Sequence, residues 1–344
     1  MLYFMAKHAP DKSYCLFTPK ENEADFTLPF QDKPFKTITP NSSFFRSYWR
    51  TKGIIKDLIK NKIDIYHGLS HEIPRGLNRT NIKSVVTMHD LIFKEQPHLF
   101  PFIDRQIYDN KFRHACENSD KIITVSENTK QDVIRFYNIP EEKIQVNYLM
   151  TDPIFYDDKK EELNINLPKD YLLYVGAISP RKNLKTILAS FTIKNDFPPL
   201  VVVGRGKKYK KELETFIHQN KIKHKIIWLN NIENNSELKA IYQNASLLIY
   251  PSIYEGFGMP VLESILSGTP VLTSNISSLP EVGGKFSYYL DNPKDKEEMH
   301  HKIEYILFDL ELKNLNLIQA QKYVRDKFNP LKLIGELFDI YESL

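Results

Sequence analysis

Glycine is scarce in this chain, 12 residues in 344, so the places where glycines cluster carry more information than usual. Cysteine is scarcer. Cys15 and Cys116 are the two present, far apart and in no CxxC spacing, which speaks against a disulfide framework or a zinc site. A reducing cytoplasm is the expected compartment. No apolar run approaches the roughly 20 residues that cross a bilayer. The opening MLYFMAKH is too short for a secretory leader and lacks its basic start, so a soluble or peripheral protein is expected. The net charge of +4 is small for this length and argues against a dedicated nucleic-acid binder. No RNA- or DNA-binding signature and no Walker A sequence occurs.

What remains is an ordinary globular composition, 42% hydrophobic and 26% charged, in a chain longer than one hydrophobic core usually reaches. Short apolar runs alternate with amphipathic stretches. Strands are predicted at Ser13–Thr18, Ile63–His67, Ser84–His89, Lys121–Val125 and Ile144–Tyr148. Further ones are predicted at Leu172–Val175, Leu200–Val203, Ile226–Leu229, Leu247–Tyr250 and Val271–Thr273. Helices are predicted at Arg105–Asn118, Glu127–Tyr137 and Leu184–Thr192, and from Lys296 onward the pattern is helical only. Runs too apolar for one-sided strands, alternating with helices, mean parallel sheets covered on both faces. The fold class is α/β. A charge run, Asp157-Asp158-Lys159-Lys160-Glu161-Glu162, precedes Pro168 and marks the boundary. The expected division is 1–152, 168–325 and a terminal helix in 326–344 that crosses back toward the first domain.

Residues 246 to 284 read SLLIYPSIYEGFGMPVLESILSGTPVLTSNISSLPEVGG. Leu247–Tyr250 is a buried strand stopped by Pro251, and Gly256 and Gly258 open a tight turn after it. Pro260 suits the first turn of a helix, while Gly268 and Pro270 end that helix. Ligands of open α/β sheets bind outside the carboxyl ends of the strands, where a helix start offers N–H groups to phosphate. Glu255 in the turn and Glu263 on the helix could straddle one ligand, since an ionised carboxylate accepts from two vicinal hydroxyls. Taken singly, each glutamate reads as a solvated residue that complements the helix dipole.

Glu255-x7-Glu263 within YEGFGMPVLE, followed by SGTPV and SLPEVGG, together with LYVGAISPRKNLKTILASF upstream, resembles the retaining family 4 glycosyltransferases of the GT-B fold. The likeness is strong over the C-terminal domain and thinner before it. It implies two Rossmann-like domains facing each other across a cleft. It also implies that Glu255 contacts the transferred hexose and Glu263 the nucleotide ribose. Gly256, Phe257 and Gly258 would offer backbone N–H groups to the diphosphate or sugar. Arg181 and Lys182 match the pair that clamps the diphosphate, and fixed cations stabilise a departing diphosphate without a metal. Gly204-Arg205-Gly206 lacks the third glycine of a dinucleotide fingerprint; in the family the equivalent turn borders the nucleotide. No cofactor and no metal is expected beyond the nucleotide-sugar co-substrate, for no ligand spacing appears in these motifs.

In the N-terminal half, Val85–Leu91 reads as a buried strand ending in His89-Asp90. A lone histidine there is usually structural, but the HDL pattern resembles the family's sugar-contacting histidine. Ser126-Glu127-Asn128-Thr129 matches a family element at a helix start, and serves equally as an N-cap. His67–Pro74 resembles a stretch of bacterial mannosyltransferase-type relatives and is expected on the acceptor side. Phe44–Lys62, with Tyr48, Trp49, Arg46, Arg50, Lys52, Lys56, Lys60 and Lys62, is basic and amphipathic. It reads either as a peripheral membrane contact or as a solvated helix with an aromatic packing face.

Relatives usually begin with a strand and glycine-rich turn ahead of the helix corresponding to Leu2–His8, so the resemblance implies a start inside that helix. The expected function is retaining transfer of a hexose, mannose among the candidates, from a nucleotide diphosphate sugar to a glycan or lipid-linked saccharide in polysaccharide synthesis. The alternatives are another GT-B class, an epimerase or phosphorylase, and a truncated, inactive nucleotide- or glycan-binding protein.

Overall fold

The computed structural model describes residues 1–18, 35–40, 46–194, 196–308 and 310–344. The chain forms two compact units, Met1–Met150 with Asn329–Leu344, and Thr151–Phe328.

The first unit holds β1 (Tyr14–Phe17), β2 (Phe35–Ile38), β3 (Ile65–Gly68), β4 (Lys83–Met88), β5 (Lys121–Thr124) and β6 (Ile144–Val146). They form two ladders, β1-β2 and β3-β4-β5-β6, and every pairing is parallel. β4 is the hydrophobic spine of the larger sheet: all of its residues from Ser84 to Met88 are buried. Val86 and Met88 pack with Leu58, Leu91, Ala115, Ile122 and Val133. Consecutive residues of β1 and of β3 line one cavity of about 1020 Å³, together with Met1, Trp49, Phe338 and Tyr341.

The second unit holds β7 (Leu172–Val175), β8 (Leu200–Val203), β9 (Ile226–Leu229), β10 (Leu247–Tyr250), β11 (Val271–Ser274) and β12 (Tyr288–Leu290) in one parallel sheet, ordered β12-β11-β10-β7-β8-β9. β7, β8, β10 and β11 are buried along their whole length. Their unbroken apolar runs are therefore the signature of strands with helices on both faces. Each fully buried Leu or Val contributes about 1.5–3 kcal/mol. The strand order reverses direction between β7 and β10, which is the topological switch point where ligands of such sheets bind.

The pattern places β7 to β10 and the helix Glu127–Tyr137 at the observed residues, and elsewhere one or both ends differ by one to three residues. β3 runs one residue beyond the expected His67, to Gly68, and the helix after β7 stops at Ser190 rather than Thr192. Two strands went unread. Phe35–Ile38 has two exposed middle residues, and Tyr288–Leu290 is a three-residue edge, so neither carries the apolar run of an interior strand. Of the basic stretch Phe44–Lys62, Phe44 and Phe45 lie outside the described residues. The rest folds as Arg46–Tyr48, a π-turn at Trp49–Gly53 and a helix at Ile54–Lys60. Trp49 is buried and donates its indole N–H to Asp57 at 2.6 Å, while Tyr48 is 61% exposed. The aromatic pair is thus split, one ring inward and one outward. No helix among the described residues is long and apolar enough to cross a membrane.

Candidate functional site

The residues that follow β7 and β10 meet at the switch point of the second unit. After β7 the chain turns at Gly176 and enters a 3-10 turn, Pro180–Lys182, before the helix Leu184–Ser190. Asn183 closes that turn at φ 56°, in the left-handed region that asparagine tolerates. Its amide donates to the carbonyls of Pro251 (3.1 Å) and Pro293 (2.5 Å). Arg181 and Lys182 are thereby fixed against the loop that follows β10.

That loop presents Glu255, 7% exposed. Its Oε1 receives Lys182 Nζ at 2.5 Å, Arg181 Nη1 at 2.9 Å and the Tyr250 hydroxyl at 2.9 Å. Lys182 also lies over the Tyr250 ring, 4.8 Å from its centre, and donates to the Tyr250 oxygen. Burial opposes the charge on Glu255, but the Lys182 ammonium and the Arg181 guanidinium together outweigh it and hold the carboxyl below its usual range. Burial, reinforced by the Glu255 charge, raises Tyr250 well above an ordinary phenol, so Tyr250 stays a donor. The result is a desolvated cluster of two cations and one anion, with net positive charge.

Serines 277 and 278 set the loop's shape. Ser277 Oγ accepts from Glu255 N at 3.0 Å, and Ser278 Oγ donates to the carbonyls of Glu255 (3.0 Å) and Phe257 (2.8 Å). The SLPE stretch is therefore the brace of the YEGFG turn. Phe257 turns its ring inward, edge-on to Phe328 at 5.5 Å. Gly258 is the N-cap of the helix Met259–Leu266 at φ 114°, with no side-chain cap. A Cβ there would strike Leu279 at 2.8 Å, so a side chain is barred by conformation and by space. Pro260 sits in the first turn, as expected.

Glu263, on the same helix, is not solvated. Its carboxylate accepts from Thr151 Oγ1 (3.0 Å) and the Tyr242 hydroxyl (3.2 Å). Burial pushes its carboxyl up to about 7 against those two bonds. Glu255 and Glu263 therefore sit in contrasting settings, one held ionised by cations and the other proton-retaining near neutrality. Gly204 and Gly206 are required by close approach: added Cβ atoms would lie 2.0 Å from the Gly176 carbonyl and 2.6 Å from Ile178. Arg205 is exposed and donates to the Asn230 carbonyl at 3.2 Å.

In the first unit, His89 and Asp90 follow β4. His89 Nε2 lies 2.8 Å from the Leu69 carbonyl, which fixes that nitrogen as the donor. Ser126 caps the helix Glu127–Tyr137 through Thr129 N at 3.0 Å, and Thr129 Oγ1 donates to the His89 carbonyl at 3.3 Å. The capping role of Ser126 and a link to the His89 turn are both present. His67, in the neighbouring strand, bridges Thr87 Oγ1 (2.7 Å) and the Tyr341 hydroxyl (2.6 Å). Burial and the charge of His89 push it down to about 3.

Sequence reasoning missed Tyr250, Tyr242, Thr151, Asn183, Ser277 and His71 as partners of the site residues. Tyr250 ends a strand expected to be buried, Tyr242 lies in no motif, and both are fully buried. A phenol placed one residue before the strand-stopping Pro251 was the available signal. Among the described residues no three His, Cys, Asp or Glu side chains gather as metal ligands would.

Residues 155–322 match the family described as glycosyl transferases group 1, and residues 11–153 match glycosyltransferase family 4. The O-antigen chain mannosyltransferase RfbU of Salmonella typhimurium is 31% identical over 272 residues, covering 78% of this chain and 71% of that one. The O-antigen chain mannosyltransferase B of Escherichia coli is 31% identical over 245 residues, covering 67% of this chain and 62% of that protein. Among solved structures, a glycosyltransferase from Rickettsia africae superposes with a TM-score of 0.75 at 18% identity, covering 99% of this chain and 92% of its own. WaaG, a glycosyltransferase involved in lipopolysaccharide biosynthesis, gives a TM-score of 0.73 at 18% identity, covering 98% of this chain and 94% of its own. At that identity the likeness concerns the fold, which is GT-B with two Rossmann-like domains.

Proposed function

This chain belongs to the glycosyltransferases of group 1 and family 4, and on that premise we propose that it transfers a hexose, mannose first among the candidates, from a nucleotide diphosphate sugar with retention of configuration. The observation that carries the reading is the cluster of Arg181, Lys182 and Glu255 at the strand-order reversal between β7 and β10. Desolvated, preorganised cations stabilise negative charge that develops on a leaving group, and need no reorganisation as it forms.

The chemistry divides among these groups. Arg181 and Lys182 take the diphosphate as the bond from the anomeric carbon to its oxygen breaks. The acceptor hydroxyl oxygen bonds the same face of that carbon, its proton passes to the departing diphosphate oxygen, and no protein nucleophile is assigned. Glu255 meets the hexose once the diphosphate competes for its cations. Glu263 holds the ribose, and the turn Gly256-Phe257-Gly258 faces the diphosphate or sugar. Gly204 and Arg205 border the nucleotide. On the family resemblance of HDL, His89 of the first unit, with Asp90 beside it, is the residue assigned to the transferred hexose. The reaction needs no metal or cofactor in this reading.

The acceptor is a glycan or lipid-linked saccharide of cell-surface polysaccharide synthesis, consistent with the two relatives being O-antigen chain mannosyltransferases. Arg50, Lys52, Lys56 and Lys60 are exposed and would rest on the inner face of an anionic membrane.

Incubation with guanosine, uridine and adenosine diphosphate hexoses, with and without acceptor, tests the whole. Transfer from one of them, with the product's anomeric configuration read by NMR, supports the reading. Tight nucleotide binding without hydrolysis or transfer from any donor would make the chain a binding protein instead. An inverted product would overturn retention alone.

A further inference from the structure

The stretches His67–Pro74 and Val85–Leu91 are tied together through one imidazole. Nε2 of His71 accepts from the backbone N–H of His89 at 3.0 Å and of Asp90 at 3.3 Å. The ring lies flat on Phe112, with centres 4.3 Å apart and planes within 2°. On its own backbone, His71 donates to the Thr87 carbonyl at 2.9 Å. The tie is returned by His89, whose Nε2 meets the Leu69 carbonyl at 2.8 Å. Two loops at the end of the sheet are thus bound in both directions.

The arrangement is held under constraint. His71 has φ 59°, a left-handed conformation uncommon outside glycine that persists where surroundings over-determine it. Gly68 permits the loop to close this tightly, since a Cβ there would lie 2.1 Å from the Glu72 carbonyl. Two consecutive N–H groups converging on one lone pair need an acceptor that is neutral at that nitrogen. Burial, with the charge of His89 adding to it, pushes the His71 ring down to about 3, so the ring is neutral and one nitrogen keeps its lone pair at neutral pH.

We infer that His71 is a positioning residue: by accepting from two successive amides it fixes the turn after β4 and so the direction of the His89 imidazole. The inference rests on His89 as the hexose contact. A side chain displaced by about 1 Å from its productive place costs on the order of 10²-fold in rate, which is the scale on which a positioning group acts.

The experiment compares His71→Ala, His71→Gln, His89→Ala and the double variant His71→Ala/His89→Ala in the full chain. Gln places a carbonyl oxygen near the position of Nε2, so it keeps an acceptor while losing the ring. His71→Ala is expected to lower kcat roughly 30-fold, leave nucleoside diphosphate affinity within about twofold and speed amide exchange at His89 and Asp90. His71→Gln restores most of the rate and slows that exchange again. The double variant is no worse than His89→Ala, since a residue acting through another adds nothing once that one is gone.

Additive losses in the double variant, or equal impairment in Ala and Gln with fold intact by circular dichroism, would overturn the inference. So would unchanged exchange at residues 89 and 90 in His71→Ala. Full activity of His89→Ala is a different failure: it removes the role given to His89, whereas the exchange measurement judges His71 independently.

Discussion

Lys182 Nζ stands 2.5 Å from Glu255 Oε1, and Arg181 Nη1 stands 2.9 Å from the same oxygen. The carboxylate offsets two desolvated cations, which in the proposed reaction take the diphosphate instead. Removing it should therefore separate binding from turnover. Glu255→Ala is expected to lower transfer by roughly 10²–10³-fold, while a nucleoside diphosphate binds at least as tightly as to the parent. Calorimetry with guanosine and uridine diphosphates beside a transfer assay reads both. Undiminished turnover would remove Glu255 from the chemistry.

The same substitution carries a stability cost. Glu255 is buried, and both cations are mostly so, so deleting the anion removes the carboxylate that offsets their charge, at a cost of about 3–5 kcal/mol. Urea unfolding at neutral pH should show it, and adding nucleoside diphosphate should recover part of the loss.

Glu263 gives a pH signature of opposite sign to an ordinary salt-bridged acid. Its folded pKa is raised from 4.5 to about 7, so the folded state keeps a proton that the unfolded chain has released. Its contribution is complete below about 4.5 and is lost as the pH rises through about 7, a total on the order of 3 kcal/mol. Glu263→Gln should therefore be the more stable protein at pH 8 by about that amount, with the advantage vanishing below pH 4.5. A stability difference independent of pH would contradict this. For the parent, the donor KM should fall as pH rises through about 7, because a ribose needs the ionised carboxylate to accept from two hydroxyls.

The turn after β8 separates structure from contact. Gly204→Ala places a carbon 2.0 Å from the Gly176 carbonyl, a clash with backbone that cannot swing aside, and should cost about 3 kcal/mol or more. Arg205→Ala, at an exposed side chain, should change stability by less than about 0.5 kcal/mol. Parallel denaturant titrations check both. A donor KM unaltered in Arg205→Ala would remove Arg205 from the nucleotide site.

Membrane contact through the basic helices is tested on vesicles. Co-sedimentation with anionic vesicles at physiological salt should exceed that with neutral ones, and Lys52→Glu/Lys56→Glu should abolish the difference, at about 1 kcal/mol per basic side chain near the surface. Equal recovery with both vesicle types would end the idea.

The interior of the second unit was legible in the sequence because its strands are buried on both faces. Runs such as Leu200-Val201-Val202-Val203 announce themselves, and Pro251 and Gly258 punctuate the site. The charged members of the cluster, Arg181, Lys182 and Glu255, were named through the family resemblance of SPRKN and YEGFG, and the fold brings the three together. Their neutral partners were not legible. Tyr250 hydrogen-bonds Glu255 from inside an apolar run, and its hydroxyl leaves no trace in periodicity. His71 lies in a stretch the resemblance singled out, but its tie to the His89 turn was not legible: its partners are backbone amides 18 and 19 residues away, which only the folded loops bring near. The exposure of Phe35–Ile38 and the shortness of Tyr288–Leu290 hid the remaining strands.

The helix Pro330–Glu342 belongs to the first unit, where Asn147 binds the Leu333 carbonyl, His67 binds Tyr341 and Phe338 stacks on His8. A ribosome delivers those residues only after Thr151–Phe328. The first unit therefore cannot complete its packing against this helix until the residues of the second have been made.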